Sequence, residues 1–95
     1  MIWFKIMSAV CERFSVTADD ICGRSRMQHI SYPRQVVMWL ARQLTLMSYE
    51  QIGRLLGDRD HTSVMFGVRR ITERRADPAT AVTLDALMAQ LESAR

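Results

Sequence analysis

The sequence predicts an all-α fold built as one compact domain. Three observations carry that reading. Apolar residues recur at helical spacing in segment after segment, no stretch alternates with period two over a useful length, and glycine, proline or N-cap residues fall between the segments. A length of 95 residues suits a single core, so residues 1–95 are expected to form one unit.

The elements follow in order. Residues 2–14 carry apolar side chains at 3, 6, 7, 10 and 14, the stripe of an amphipathic helix. The opening MIWFKIM is apolar but short, and Glu12 and Arg13 follow it without a small-residue cleavage site, so it reads as helix and not as a signal peptide. Thr17 is an N-cap for a short turn over residues 18–22, which Gly23 stops. Residues 23–31, GRSRMQHIS, have no period and read as a basic loop. Pro33 suits the first turn of the next helix, whose stripe at 36, 37, 40, 41 and 44 runs to about Leu46.

Ser48 with Gln51 forms a capping-box signature that opens a short helix over 48–56, with Ile52, Leu55 and Leu56 facing inward. Gly57-Asp58-Arg59 makes a tight turn, and Asp60 caps a further helix that buries Val64, Val68 and Ile71. Asp77 and Pro78 read as cap and first-turn proline of a last helix, over about 78–93, that packs Val82, Leu84, Leu87, Met88 and Leu91.

Composition narrows the function classes. Hydrophobic residues make up 48% of the chain, too many for disorder, and no apolar run is long enough to span a bilayer. A cytoplasmic protein with no membrane partner is expected. Cys11 and Cys22 do not make a disulfide framework, and a zinc site from Cys11, Cys22, His29 and His61 would lack the short paired spacings such sites use. Two reduced thiols and no cofactor are the expectation.

The net charge of +3 is unevenly spread. Residues 23–75 hold ten arginines and four acids, a balance of 10 − 4 = +6, and the flanks hold three bases and six acids, 3 − 6 = −3. Positive charge concentrated as arginine suits phosphates and guanines, and so a polyanionic partner.

A short helix, a turn containing glycine and a longer helix that opens with polar residues is the layout of a helix-turn-helix. In that layout the second helix enters the major groove of DNA. Its N-terminus presents free N–H groups and a partial positive charge. Asp60 can accept from a cytosine amino group, His61 can donate or accept, Thr62 offers a hydroxyl and a methyl, and Ser63 can reach a phosphate or a base edge. The same hairpin also occurs in helical proteins that never touch DNA, and there Asp60 is a simple cap.

Residues 31–71, SYPRQVVMWLARQLTLMSYEQIGRLLGDRDHTSVMFGVRRI, resemble the C-terminal DNA-binding domain of the bacterial replication initiator family DnaA. The strongest part, GRLLGDRDHTSVMFGVRRI, is similar to the family signature GxxFGGRDHTTVxxAxxKI, and the likeness extends over roughly residues 1–75. The helix over 78–93 lies beyond it. The resemblance implies that Asp60, His61, Thr62 and Ser63 read the major groove of a nonamer similar to TTATCCACA. It implies that Arg26 enters the adjacent minor groove, in line with arginine's preference for narrow A·T-rich grooves. It implies phosphate contacts from Arg34, Gln35, Ser48, Tyr49 and Arg70.

Departures accompany the likeness. Asp58 replaces a common second glycine, Phe66 stands where a histidine is frequent, and the loop around Arg26 is less basic than usual. No GxxxxGK[ST] loop occurs in the chain, so the initiator's ATPase is not encoded here.

The reading is therefore a free-standing, nucleoid-associated bacterial domain that binds double-stranded DNA at such sites and regulates transcription or replication. One recognition helix makes a limited interface, which leaves room for a homodimer or a protein co-regulator. Trp3, Phe4 and Trp39 are candidates for an exposed patch, with burial of at least two of them expected. The alternative is a protein-interaction module that keeps the fold without binding DNA. Catalysis is excluded because Asp60, His61 and Ser63 are near neighbours on one helix, point in divergent directions and cannot line up as a triad.

Overall fold

A computed structural model describes residues 2–93. Six helices follow one another: α1 (Ile2–Phe14), α2 (Ala18–Cys22), α3 (Gln28–Leu44), α4 (Tyr49–Leu55), α5 (His61–Arg74) and α6 (Pro78–Ser93). There is no strand among the described residues. No helix among them is long and apolar enough to cross a membrane.

The expected stripe of α1 is found: Trp3, Ile6, Met7 and Val10 are buried and Phe14 packs against the core's edge. Trp39 is buried as well, and Phe4 is left exposed. The chain turns at Ser15, which adopts a left-handed φ of 56°. Thr17 then caps α2 by accepting from the Asp20 N–H at 3.0 Å, while the Asp20 carboxylate accepts from the Thr17 N–H at 3.1 Å.

Helix α3 begins at Gln28, five residues before the proline expected to open it, so the loop is only Gly23–Met27. The Met27 carbonyl accepts from the N–H groups of Ile30 and Ser31, and these bonds establish the helix ahead of Pro33. Proline there removes one bond to the His29 carbonyl but is itself buried. The helix ends two residues earlier than expected, where the Thr45 side chain donates to the Ala41 carbonyl, leaving Leu46 fully exposed.

Helix α3 is the central element. It packs on α1, α2, α4 and most extensively on α5, while α6 lies along α1. One hydrophobic cluster joins all six helices, with Ile21, Val36, Val37, Leu40, Ile52, Leu56, Val64, Ile71 and Leu84 fully buried. Two expected core residues are not in it. Leu55 is partly exposed on α4 and Val82 faces solvent on α6, where Leu84, Leu87 and Leu91 supply the packing. Cys11 and Cys22 are free, and burial pushes the Cys11 thiol up from its ordinary value. No group of three metal-ligating side chains assembles among the described residues.

Candidate nucleic-acid interface

The turn from α4 into α5 is shaped by its backbone. Ser48 caps α4 by accepting from the Gln51 N–H at 3.1 Å, and Gln51 returns a bond to the Ser48 N–H at 2.8 Å. At the far end Gly57 has φ +77°, and a Cβ there would lie 2.3 Å from the Cys22 carbonyl oxygen. Gly53 is as constrained, because a Cβ would come within 2.1 Å of the Arg59 carbonyl oxygen. Asp58, where the family commonly has glycine, adopts φ 58°. Aspartate tolerates that left-handed region better than most residues, so the departure fits the turn.

Asp60 caps α5. Its Oδ1 accepts from the Thr62 N–H at 2.9 Å and lies 3.0 Å from Nδ1 of His61. The Thr62 N–H holds the Asp60 carboxyl below its ordinary value against the opposing effect of desolvation, with lesser help from His61 and the Thr62 side chain. With Nδ1 turned to Asp60, Nε2 is the His61 atom left to meet a partner. His61, Thr62 and Ser63 form an exposed first turn, and Val64 behind them is fully buried.

A second element stands beside that turn. The loop Gly23–Met27 presents Arg24, Ser25 and Arg26, and these residues with Arg34, Asp58, Arg59, Asp60 and Ser63 line a concave groove of about 440 Å³. Arg26, Asp60 and Ser63 are thus brought together. His61 lies on an adjoining groove with Glu50, Arg54 and Asp58.

Two guanidinium groups lie at the root of the loop. The Arg34 Nε donates to the Ile21 carbonyl at 2.7 Å, Nη1 to Ser25 at 2.9 Å, and Nη2 to Asp20 at 3.2 Å and Gly23 at 3.3 Å. Arg34 is only 6% exposed, so the residue expected to hold a phosphate instead ties the loop to α3. Arg59 donates to the carbonyls of Leu56 at 2.6 Å, Cys22 at 3.5 Å and Gly23, tying the same loop to the α4–α5 turn. No carboxylate forms an ion pair with either group among the described residues. Burial, and then the mutual repulsion of the clustered arginines, pulls both guanidinium groups below their ordinary value.

The other expected contacts are spread around the turn. Gln35 is half-buried on α3, with its Cγ 3.3 Å from where a Cβ on Gly67 of α5 would stand. Ser48 is exposed, and the Tyr49 ring carries the Arg42 guanidinium 4.2 Å from its centroid. Arg70 is exposed on α5, 6.0 Å from the Phe66 ring centroid. Sequence reasoning missed Arg24 and Arg59. Both sit in glycine-containing turns without periodicity, and only their position beside the loop and the Asp60 cap could have drawn notice.

The chain matches the family model described as the bacterial dnaA protein helix-turn-helix over residues 4–71. The chromosomal replication initiator protein DnaA of Cereibacter sphaeroides is 46% identical over 72 residues, covering 76% of this chain and 16% of that protein. The protein of the same name from Ruegeria sp. is 42% identical over 90 residues, covering 94% of this chain and 19% of its own length. That of Magnetococcus marinus is 37% identical over 89 residues, covering 93% and 20%. The chain thus spans about a fifth or less of these relatives. The shared part is a helix-turn-helix module, not a catalytic one. With its model matched over most of the length and its fold built around that hairpin, this chain belongs to the bacterial dnaA helix-turn-helix family.

Proposed function

We propose that this chain binds double-stranded DNA in a sequence-specific way and acts as a regulator of transcription or replication on the bacterial nucleoid. The observation that carries the reading is the groove where Arg26 meets Asp60 and Ser63. One loop and one helix N-terminus there face the same ligand from two sides, as a minor-groove arginine and a major-groove helix require. His61, Thr62 and Ser63 read base edges, Asp60 accepts from a cytosine amino group, and Arg26 enters the neighbouring A·T-rich minor groove. Gln35, Ser48, Tyr49 and Arg70 hold phosphates and fix register. Arg34 supports the loop and makes no phosphate contact in this reading.

Fluorescence anisotropy tests the proposal with a duplex carrying TTATCCACA and a scrambled duplex, at two salt concentrations. A clear preference for the nonamer is expected, with affinity for both duplexes falling as salt rises. Equal binding to both sends the question to a random-library selection. No binding to either would sink the DNA reading and favour a protein-interaction module.

A further inference from the structure

We infer that Phe66 is a specificity-determining residue that reads the C5-methyl group of a thymine, an inference that rests on the DNA-reading role proposed for α5. Phe66 is 55% exposed. The buried residues of α5 are Val64, Gly67 and Ile71, and Phe66 lies on the opposite face. It stands four residues after Thr62 and three after Ser63, so its ring continues the face those side chains begin. One helical turn advances about 5.4 Å and stacked base pairs about 3.4 Å, which places the ring within about two base pairs of those under Thr62.

The chemistry of the ring restricts what it can recognise. It has no conventional hydrogen-bond donor or acceptor, and the apolar group a base edge offers in the major groove is the thymine methyl. The Arg70 guanidinium stands 6.0 Å from the ring centroid, a cation placed to meet phosphate beside an apolar reader.

Replacing thymines one at a time with deoxyuridine, on both strands, removes only the methyl group and tests the assignment. The duplex carries TTATCCACA or, if selection returns another site, that site. Deoxyuridine at one thymine is expected to weaken the wild-type complex about fourfold, the worth of one methyl group withdrawn from water. Phe66→Ala and Phe66→His should bind the two duplexes alike at that thymine and keep sensitivity at any other. Met65→Ala, which alters the neighbouring exposed apolar group, should leave the Phe66-dependent thymine sensitive. Exposure of Phe66 leaves the core intact on substitution, and thermal melts check it. An unchanged set of sensitive thymines in Phe66→Ala, or no sensitive thymine in a site still preferred over scrambled DNA, overturns the assignment alone. Absence of any sequence preference overturns the DNA-reading role and this inference with it.

Discussion

The floor and the rim of the arginine-lined groove use the same residue type in opposite ways. At the floor, Arg34 and Arg59 turn inward and give most of their donors to backbone carbonyls of residues 20–25 and 56. At the rim, Arg26 is exposed, and so is Arg70 further along α5. The difference teaches where positive charge comes from in a small fold. Neutral carbonyls satisfy the buried donors without cancelling their charge, whereas carboxylates would have tied the loop equally well and left the groove neutral. Stability should therefore respond to the floor and DNA discrimination to the rim.

Arg34 offers the sharpest break. Arg34→Met strips four carbonyls of a charged donor and should cost about 3 kcal/mol or more of folding free energy, read by urea denaturation. A loss below about 0.5 kcal/mol with weakened DNA binding would make Arg34 a rim residue after all. Gly53→Ala comes next. Its new methyl meets the Arg59 backbone, which cannot swing aside, so about 2–3 kcal/mol is expected. Gly67→Ala meets the flexible Met38 side chain and should cost less.

Variants of the exposed residues of α5 should behave in the reverse manner. His61→Ala or Thr62→Ala should reduce the preference for cognate over scrambled DNA by about 1–3 kcal/mol at unchanged melting temperature. Arg70→Ala should weaken both complexes alike and lower the salt slope by about one phosphate. Specificity lost without a change of slope would move Arg70 from backbone to bases.

The smallest effect concerns acid. The Asp60 carboxyl is held below its ordinary value chiefly by the Thr62 N–H. Because the folded value is the lower one, its contribution is present above the unfolded value, about 3.9, and fades as pH falls through the folded value. The wild-type melting advantage over Asp60→Ala should therefore be full near about pH 6 and shrink below about pH 4. A difference that grew with acid would contradict the cap geometry.

Most of the fold was legible because its signals are local. The Ser48–Gln51 box, the Thr17 and Asp60 caps and the stripes of α1 and α3 each depend on residues within a turn or two. What escaped was set by backbone bonds without a side-chain cap, or by neighbours distant in sequence. Pro33 pointed to a helix start, yet bonds to the Met27 carbonyl opened α3 earlier. Leu46, Leu55 and Val82 are apolar by type but lie where no neighbouring helix covers them. At the site, Asp60, His61, Thr62 and Ser63 could be placed from the cap and the motif. The inward turn of Arg34 could not, because its partners lie 9 to 14 residues away along the chain.

The exposed first turn of α5 has an evolutionary consequence. Val64 and the Asp60 cap hold the helix in place, while His61, Thr62 and Ser63 contribute nothing to the buried core. Substitutions at those three positions can therefore accumulate at little cost to folding, and under the proposed DNA-reading role a lineage changes its target sequence without passing through an unfolded ancestor. In that role, scaffold and address are carried by different residues of one helix.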